Sequence, residues 1–228
     1  MTRLVVATRN PAKIAAIGRW LPRHELRAAP HDISGETSET GSTVAANAVS
    51  KVETLSARLP GVLVVATDGG LLVPALGDRW DPLRTHRFAG PDASAANRAR
   101  ALLRLAGDLR GVDRAVGWRE ALAVAVDGRH LASWVAESPP GELATTLHES
   151  LLGAAPAFWV PAIWRCPECG GKRLADLTPE DQATRLDHWM QLGAALGGWL
   201  AQVNAPMELH RNRPYRRLST PVPRLGDR

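Results

Sequence analysis

The tetrapeptide Val-Val-Ala-Thr occurs at residues 5–8 and again at 64–67, each time closing a short apolar run that opens onto a polar turn. Runs this short and this rich in β-branched residues are strands, and near-continuous apolarity marks strands buried on both faces, as in a parallel sheet. Leu4–Thr8 and Val62–Thr67 are therefore read as inner strands. Between them the period changes. Ala12–Leu21 reads as a helix stopped by Pro22, and an extended segment follows from Glu25 to about Ile33. Ser42 or Thr43 can cap a second helix whose Val44, Ala48, Val52 and Leu55 share one face, closed by Pro60-Gly61. Strand, helix, strand in that order constrains the chain to an α/β fold.

The second half adds a helix over Asp92–Leu105 and strand-like stretches at Ala115–Val126, Leu131–Glu137 and Ala157–Trp164. Turns at Asp127-Gly128 and Pro139-Pro140-Gly141 separate them, which predicts an antiparallel part added to the βα core. Thr178-Pro179-Glu180-Asp181 announces a last helix, with a cap, a proline at the first helical position and acids in the first turn. It should run to about Val203, with an interruption expected at Gly197-Gly198. Residues 1–204 are expected to form the folded domain and 205–228 a disordered tail.

Charge sharpens that boundary. From Arg211 onward the chain carries six Arg and one Asp, which accounts for its whole formal charge of +5. A basic, proline-interrupted tail cannot bury enough apolar surface to fold alone. No basic face continues into the body, so nucleic acid is not an expected partner. No run approaches the roughly 20 apolar residues that span a bilayer, and the first apolar run is too short for a signal peptide. The expectation is a cytoplasmic protein with no membrane contact.

Open α/β sheets bind ligands where strands end. Thr8, Asn10 and Lys13 follow the first strand, and Asp68-Gly69-Gly70 follows the third. A carboxylate at such a position suits Mg²⁺, which takes one or two carboxylates and completes its shell with water and substrate phosphates. Of 28 basic residues only Lys13, Lys51 and Lys172 are lysines. Their positions therefore test any functional reading.

The blocks Thr8-x-Asn10-x-x-Lys13, Glu39-Thr40-Gly41-Ser42-Thr43 with Asn47-Ala48-x-x-Lys51, Ala66-Thr67-Asp68-Gly69-Gly70-Leu71 and Arg87-Phe88-Ala89-Gly90 resemble, in order and spacing, the inosine triphosphate pyrophosphatase family. Gly171-Lys172 followed by Leu174-Ala175-Asp176-Leu177 resembles a further family segment, so all three lysines fall within matching motifs. The resemblance covers roughly residues 3–200. It implies an α/β fold with a mixed central sheet flanked by helices, in two lobes with a nucleotide cleft between them. It implies hydrolysis of a non-standard purine nucleoside triphosphate to monophosphate and pyrophosphate, Mg²⁺ as cofactor, and a homodimer. By the same resemblance Thr8, Asn10, Lys13, Lys51 and Arg87 bind phosphates. Glu39 and Asp68 hold the metal, and Asp68 helps to activate the attacking water.

The base side departs from that pattern. Where family members carry a Phe-Gly-Tyr/Trp-Asp-Pro segment, this chain has Phe158-Trp159-Val160-Pro161-Ala162; the family's Ser-His-Arg appears as Asp187-His188-Trp189. Gly69 also stands where the family has Ser, and Arg9 where it has Gly. Phe158, Trp159, Lys172 and His188 are the base-side residues the resemblance implies, with tryptophans that could equally be core. Altered base selectivity is one expectation. A nucleotide-binding or partner-binding protein with impaired turnover is the other. Cys166-Pro167-Glu168-Cys169-Gly170 has the form of half a zinc ribbon, but these are the only two cysteines. A zinc site would need His148, His188 or a second chain; a reduced turn or a disulfide is the alternative.

Overall fold

In the computed structural model the residues described are 3–8, 11–21, 24–29, 40–152, 159–178, 180–181 and 188–209. The second Val-Val-Ala-Thr lies within β3 (Leu63–Leu72), the strand on which both halves of the sheet meet. On one side β3 pairs in parallel with β1 (Arg3–Val6), and β1 in turn with β2 (Glu25–Ala28). On the other side β4 (Ala115–Val126) runs antiparallel to β3 from Gly117 to Ala125. The mixed sheet expected from the sequence is thus present, with eight strands among the described residues.

Strand β4 divides the sheet. Its residues 119–126 pair with β5 (Arg129–Glu137), while Ala115 and Val116 pair with β6 (Gly141–Leu143). From β6 the sheet continues through β7 (Trp164–Cys166) to β8 (Lys172–Arg173). Asp127 and Gly128 close the β4–β5 hairpin with φ of 52° and 73°. Two consecutive positive φ values match the right-handed twist of the flanking strands, and Asp-Gly adopts them at low cost.

Helices cover both faces of the β1–β3–β4 region. Helix α1 (Pro11–Trp20) begins with proline, whose missing N–H costs nothing in the first turn. It packs with α4 (His188–Leu209) on one face, where Ile17 and Leu21 meet Leu192, Leu196 and Leu200 over Val65, Leu122 and Val124. Gly193 permits that approach: a Cβ there would run into the Trp20 side chain. Helix α2 (Val44–Ser56) covers the other face, burying Val44, Ala48, Val52 and Leu55 against Val64, Ala66, Ala121 and Ala123. The capping oxygen is that of Thr43, which accepts from Ala46 N at 3.0 Å. Helix α3 (Ala95–Leu105) belongs to a third cluster with Trp118, Trp159, Ile163 and Leu174.

Four expectations change. β3 does not stop at Thr67 but runs on to Leu72, because β4 supplies ladder partners for Asp68, Gly69 and Gly70. Residues 160–162 form a 3-10 turn rather than a strand, with Pro161 unable to donate to a ladder, and the strand begins at Trp164. α3 starts at Ala95 with Ser94 as its cap, not at Asp92. α4 passes through Gly197-Gly198 without interruption and reaches Leu209, beyond residue 204. Among the described residues no helix is long and apolar enough to cross a membrane.

Candidate active site

β1 ends at Val6, opposite Val65, while β3 continues for seven residues more. Beyond Ala7, whose N–H donates to Val65 O at 2.7 Å, the flank of β3 is therefore no longer covered by its parallel neighbour. Successive side chains of β3 point to opposite faces at this place. Asp68 faces α2; Thr67 and Gly69 face α1 and α4.

On the α2 face, Lys51 Nζ donates to Asp68 Oδ1 at 2.6 Å and Asn47 Nδ2 donates to Oδ2 at 3.0 Å. Asn47 and Lys51 are four residues apart on a helix, so both project from one side of α2. Asn47 Oδ1 in turn accepts from Gly41 N at 2.8 Å, tying the segment before the helix to the same cluster. Gly41 suits that contact, since a Cβ would press on both Asn47 Oδ1 and Ala46 Cβ. Asp68 is almost wholly buried and Lys51 only 14% exposed, so this is a desolvated pair whose Coulombic attraction is weakly screened.

The opposite face carries a second pair that the sequence reading did not contain. Lys13 Nζ donates to Glu120 Oε1 at 2.9 Å and to Thr67 Oγ1 at 3.2 Å. Glu120 is fully buried on β4, and Trp118 Nε1 donates to its other oxygen at 2.8 Å. Burial pushes the Glu120 carboxyl up, but the Lys13 ammonium, the hydrogen bonds from Trp118 and Lys13, and the charge of His188 outweigh it and hold the group below its ordinary value. The signal for Glu120 was available: it is the single acid in the Ala115–Val126 run, beside Arg119 and directly before the apolar stretch Ala121–Val126.

Gly69, opposite Glu120 in the ladder, explains one departure from the family pattern. A Cβ at this position would overlap Glu120 Oε2 and lie 2.8 Å from Trp118 Nε1. The serine of the family pattern cannot coexist with this carboxylate. Gly70 serves a different contact: it lets the Pro82 carbonyl close on β3, where Thr85 Oγ1 accepts from Leu71 N at 3.0 Å and Trp80 Nε1 donates to Leu71 O at 2.6 Å.

The remaining sequence candidates are spread out. Thr8 follows β1 and is partly buried; Arg87 is exposed on the segment that docks on β3. Asn10, Glu39 and Phe158 lie outside the described residues. Trp159 is fully buried and takes its place in the α3 cluster, 6.2 Å from Phe88 between ring centroids. Lys172 is exposed on β8 opposite Cys166. His188 is buried at the start of α4, with its charge bearing on Glu120. Cys166 and Cys169 are joined by a disulfide, with Cα atoms 5.2 Å apart. Among the described residues no group of three or more His, Cys, Asp or Glu could hold a metal, so the four ligands of a zinc site are not assembled there.

Residues 4–191 match the model of the Ham1 family. The chain belongs to the Ham1 family. It is 33% identical over 195 residues to a dITP/XTP pyrophosphatase of Geobacillus kaustophilus, an alignment covering 80% of this chain and 86% of that one. It is 32% identical over 185 residues to the enzyme of the same name from Syntrophobacter fumaroxidans, covering 79% and 74%. Among solved structures, the Ham1 protein of Coxiella burnetii superposes with a TM-score of 0.72 at 23% identity over 89% of this chain and 100% of its own. A nucleoside-triphosphatase/dITP/XTP pyrophosphatase from Mycobacterium abscessus superposes with a TM-score of 0.60 at 27% identity, covering 87% and 99%. The mixed α/β fold of this Ham1 chain is accordingly that of the family.

Proposed function

We propose that this protein hydrolyses a nucleoside triphosphate, a non-standard or modified purine, to the monophosphate and pyrophosphate, with a base selectivity of its own. The observation that carries the reading is the convergence of Lys51, Asn47 and Asp68 from one face, and of Lys13 from the other, on the part of β3 left uncovered by β1. Strand ends of this kind are where α/β sheets take phosphates. The relatives named dITP/XTP pyrophosphatases support the reaction class.

Asp68 fits the divalent metal that the family implies. It is an oxygen donor already paired with the Lys51 ammonium, and Mg²⁺ needs no more than one or two such carboxylates. Glu39 would be the second. When bound, the metal would polarise the phosphate oxygens and lower the pKa of the attacking water. The chain's own residues do the rest. Asp68, oriented by Lys51 and Asn47, accepts the proton as that water attacks the α-phosphorus and the bond to the bridging oxygen breaks. Lys13, Lys51 and Arg87, with Thr8 and Asn10, stabilise the charge that collects on the departing pyrophosphate. By the family pattern Lys172 and Phe158 would contact the base, in a cleft between two lobes of a cytoplasmic homodimer, whereas His188, buried at the start of α4, would act on it only indirectly.

A second reading, nucleotide binding without efficient turnover, is favoured by the complete burial of Trp159, which leaves that ring no face on which to stack a base. Phosphorus NMR of the purified protein with Mg²⁺ and inosine, xanthosine, deazapurine and ordinary triphosphates separates the two. Pyrophosphate plus monophosphate from one of them is the expected result and names the base. Tight nucleotide binding without products would establish the second reading instead.

A further inference from the structure

Lys13 is not a solvated helix charge. Two of its three N–H groups are taken by Glu120 and Thr67, and among the described residues the third has no acceptor. Its side chain is 27% exposed, while that of Glu120 is 1% exposed. The pair is therefore asymmetric: a fixed, buried acceptor beneath and a cation that still reaches solvent. Glu120 is itself fixed, because its second oxygen accepts from Trp118 Nε1 and the missing Cβ of Gly69 makes room for both. Trp118 is buried in the α3 cluster and has no freedom to follow a moving carboxylate.

We propose that Glu120 is a positioning residue for phosphate binding: clamped by Trp118, it fixes the Lys13 ammonium at the uncovered flank of β3 and leaves its remaining N–H for a phosphate oxygen. This rests on the reading of Lys13 as a phosphate ligand. The cost of a flexible lysine is the ordering of its long side chain at binding. A lysine already held by two acceptors has met that cost in the free protein. The carboxylate form is required: Lys13 and Trp118 donate to opposite oxygens of Glu120, and an amide would turn its NH2 group, a donor, toward one of them. The pair also leaves the phosphate flank with less net positive charge than two lysines would otherwise supply. Order, rather than added charge, is what Glu120 contributes.

The test is calorimetric titration of inorganic tripolyphosphate with Mg²⁺ into the full chain, which probes the phosphate side without a base. Glu120→Gln is expected to weaken binding by roughly tenfold, the loss of one charge-assisted contact made in the right place. Glu120→Asp, which keeps both acceptors on a shorter stem, should recover part of that. In a Lys13→Met background, Glu120→Gln should have no further effect, because the glutamate acts through the lysine. Binding by Glu120→Gln equal to wild type overturns the proposal, as does an undiminished effect of the substitution when Lys13 is absent, or a Glu120→Asp no better than Glu120→Gln. Failure of the wild-type protein to bind tripolyphosphate would strike the phosphate reading itself, and the proposal with it. The wild-type titration alone reports that case.

Discussion

On one face of β3 Asp68 is held by Lys51 and Asn47, and on the other Glu120 is held by Lys13 and Trp118. Each face thus offers a buried carboxylate, a lysine from a covering helix and one further donor. Yet the two carboxylates sit differently. Asp68 belongs to β3 and adjoins the uncovered flank. Glu120 belongs to β4, one strand further in, and reaches that flank only through Lys13. The same pairing chemistry gives a group that can meet a substrate on one side and, on the other, a group that can only orient one that does.

The largest expected effect follows from that difference. Asp68→Asn keeps the volume and an acceptor for Lys51, but removes the group that takes the proton from water. Loss of a general base lowers turnover by about 10²–10⁴-fold. The fold should survive, with an unchanged circular dichroism spectrum, while product formation by phosphorus NMR falls below detection. Full activity in Asp68→Asn would remove Asp68 from the chemistry and leave the two faces equivalent.

How far each face could be read from the sequence has a physical origin. Asn47, Lys51 and Asp68 lie within 21 residues of one another. A helix period and one strand suffice to bring them together. Lys13 and Glu120 are 107 residues apart, and their meeting depends on which residue of β4 stands opposite Gly69. Register is set by ladder pairing and core packing that no local pattern displays. The same blindness ended β3 at Thr67, since a glycine pair reads as a turn until β4 is known to pair with it. Trp159 was open between stacking and core for a related reason: a tryptophan's role depends on what covers it, and here that is the α3 cluster. The inner strands, the α2 cap at Thr43 and the Asp127-Gly128 hairpin were legible because their causes are local.

A smaller effect tests whether Gly69 and Glu120 are a matched pair. Gly69→Ala places a methyl on Glu120 Oε2, and overpacking of this kind costs about 1–3 kcal/mol. In a Glu120→Ala background the nearest obstruction is gone and only Trp118 Nε1 remains close, so the same substitution should cost less. Urea denaturation of the four proteins gives the coupling directly. Equal penalties in both backgrounds would mean that Trp118 Nε1, 2.8 Å from a Cβ at this position, rather than the carboxylate, is what requires glycine here.

The smallest effect concerns acid. The folded value of Glu120 is depressed below its ordinary 4.5, so its ionised form stabilises the native state throughout neutral pH. That contribution is complete above 4.5 and is lost as pH falls through the folded value, because the unfolded chain takes up the proton first. Glu120→Gln, which has no proton to take up, should lack this part of the acid dependence. The gap in melting temperature between wild type and Glu120→Gln is therefore expected to stay constant through neutral pH and to narrow once pH falls below 4.5 toward the folded value. Asp68 has no part in that difference, since it is present in both proteins. A gap that instead closed between about pH 6 and 7 would point to histidine. The charge facing Glu120 from α4 is that of His188, and this result would transfer the control of the Lys13 face from β4 to the first turn of α4.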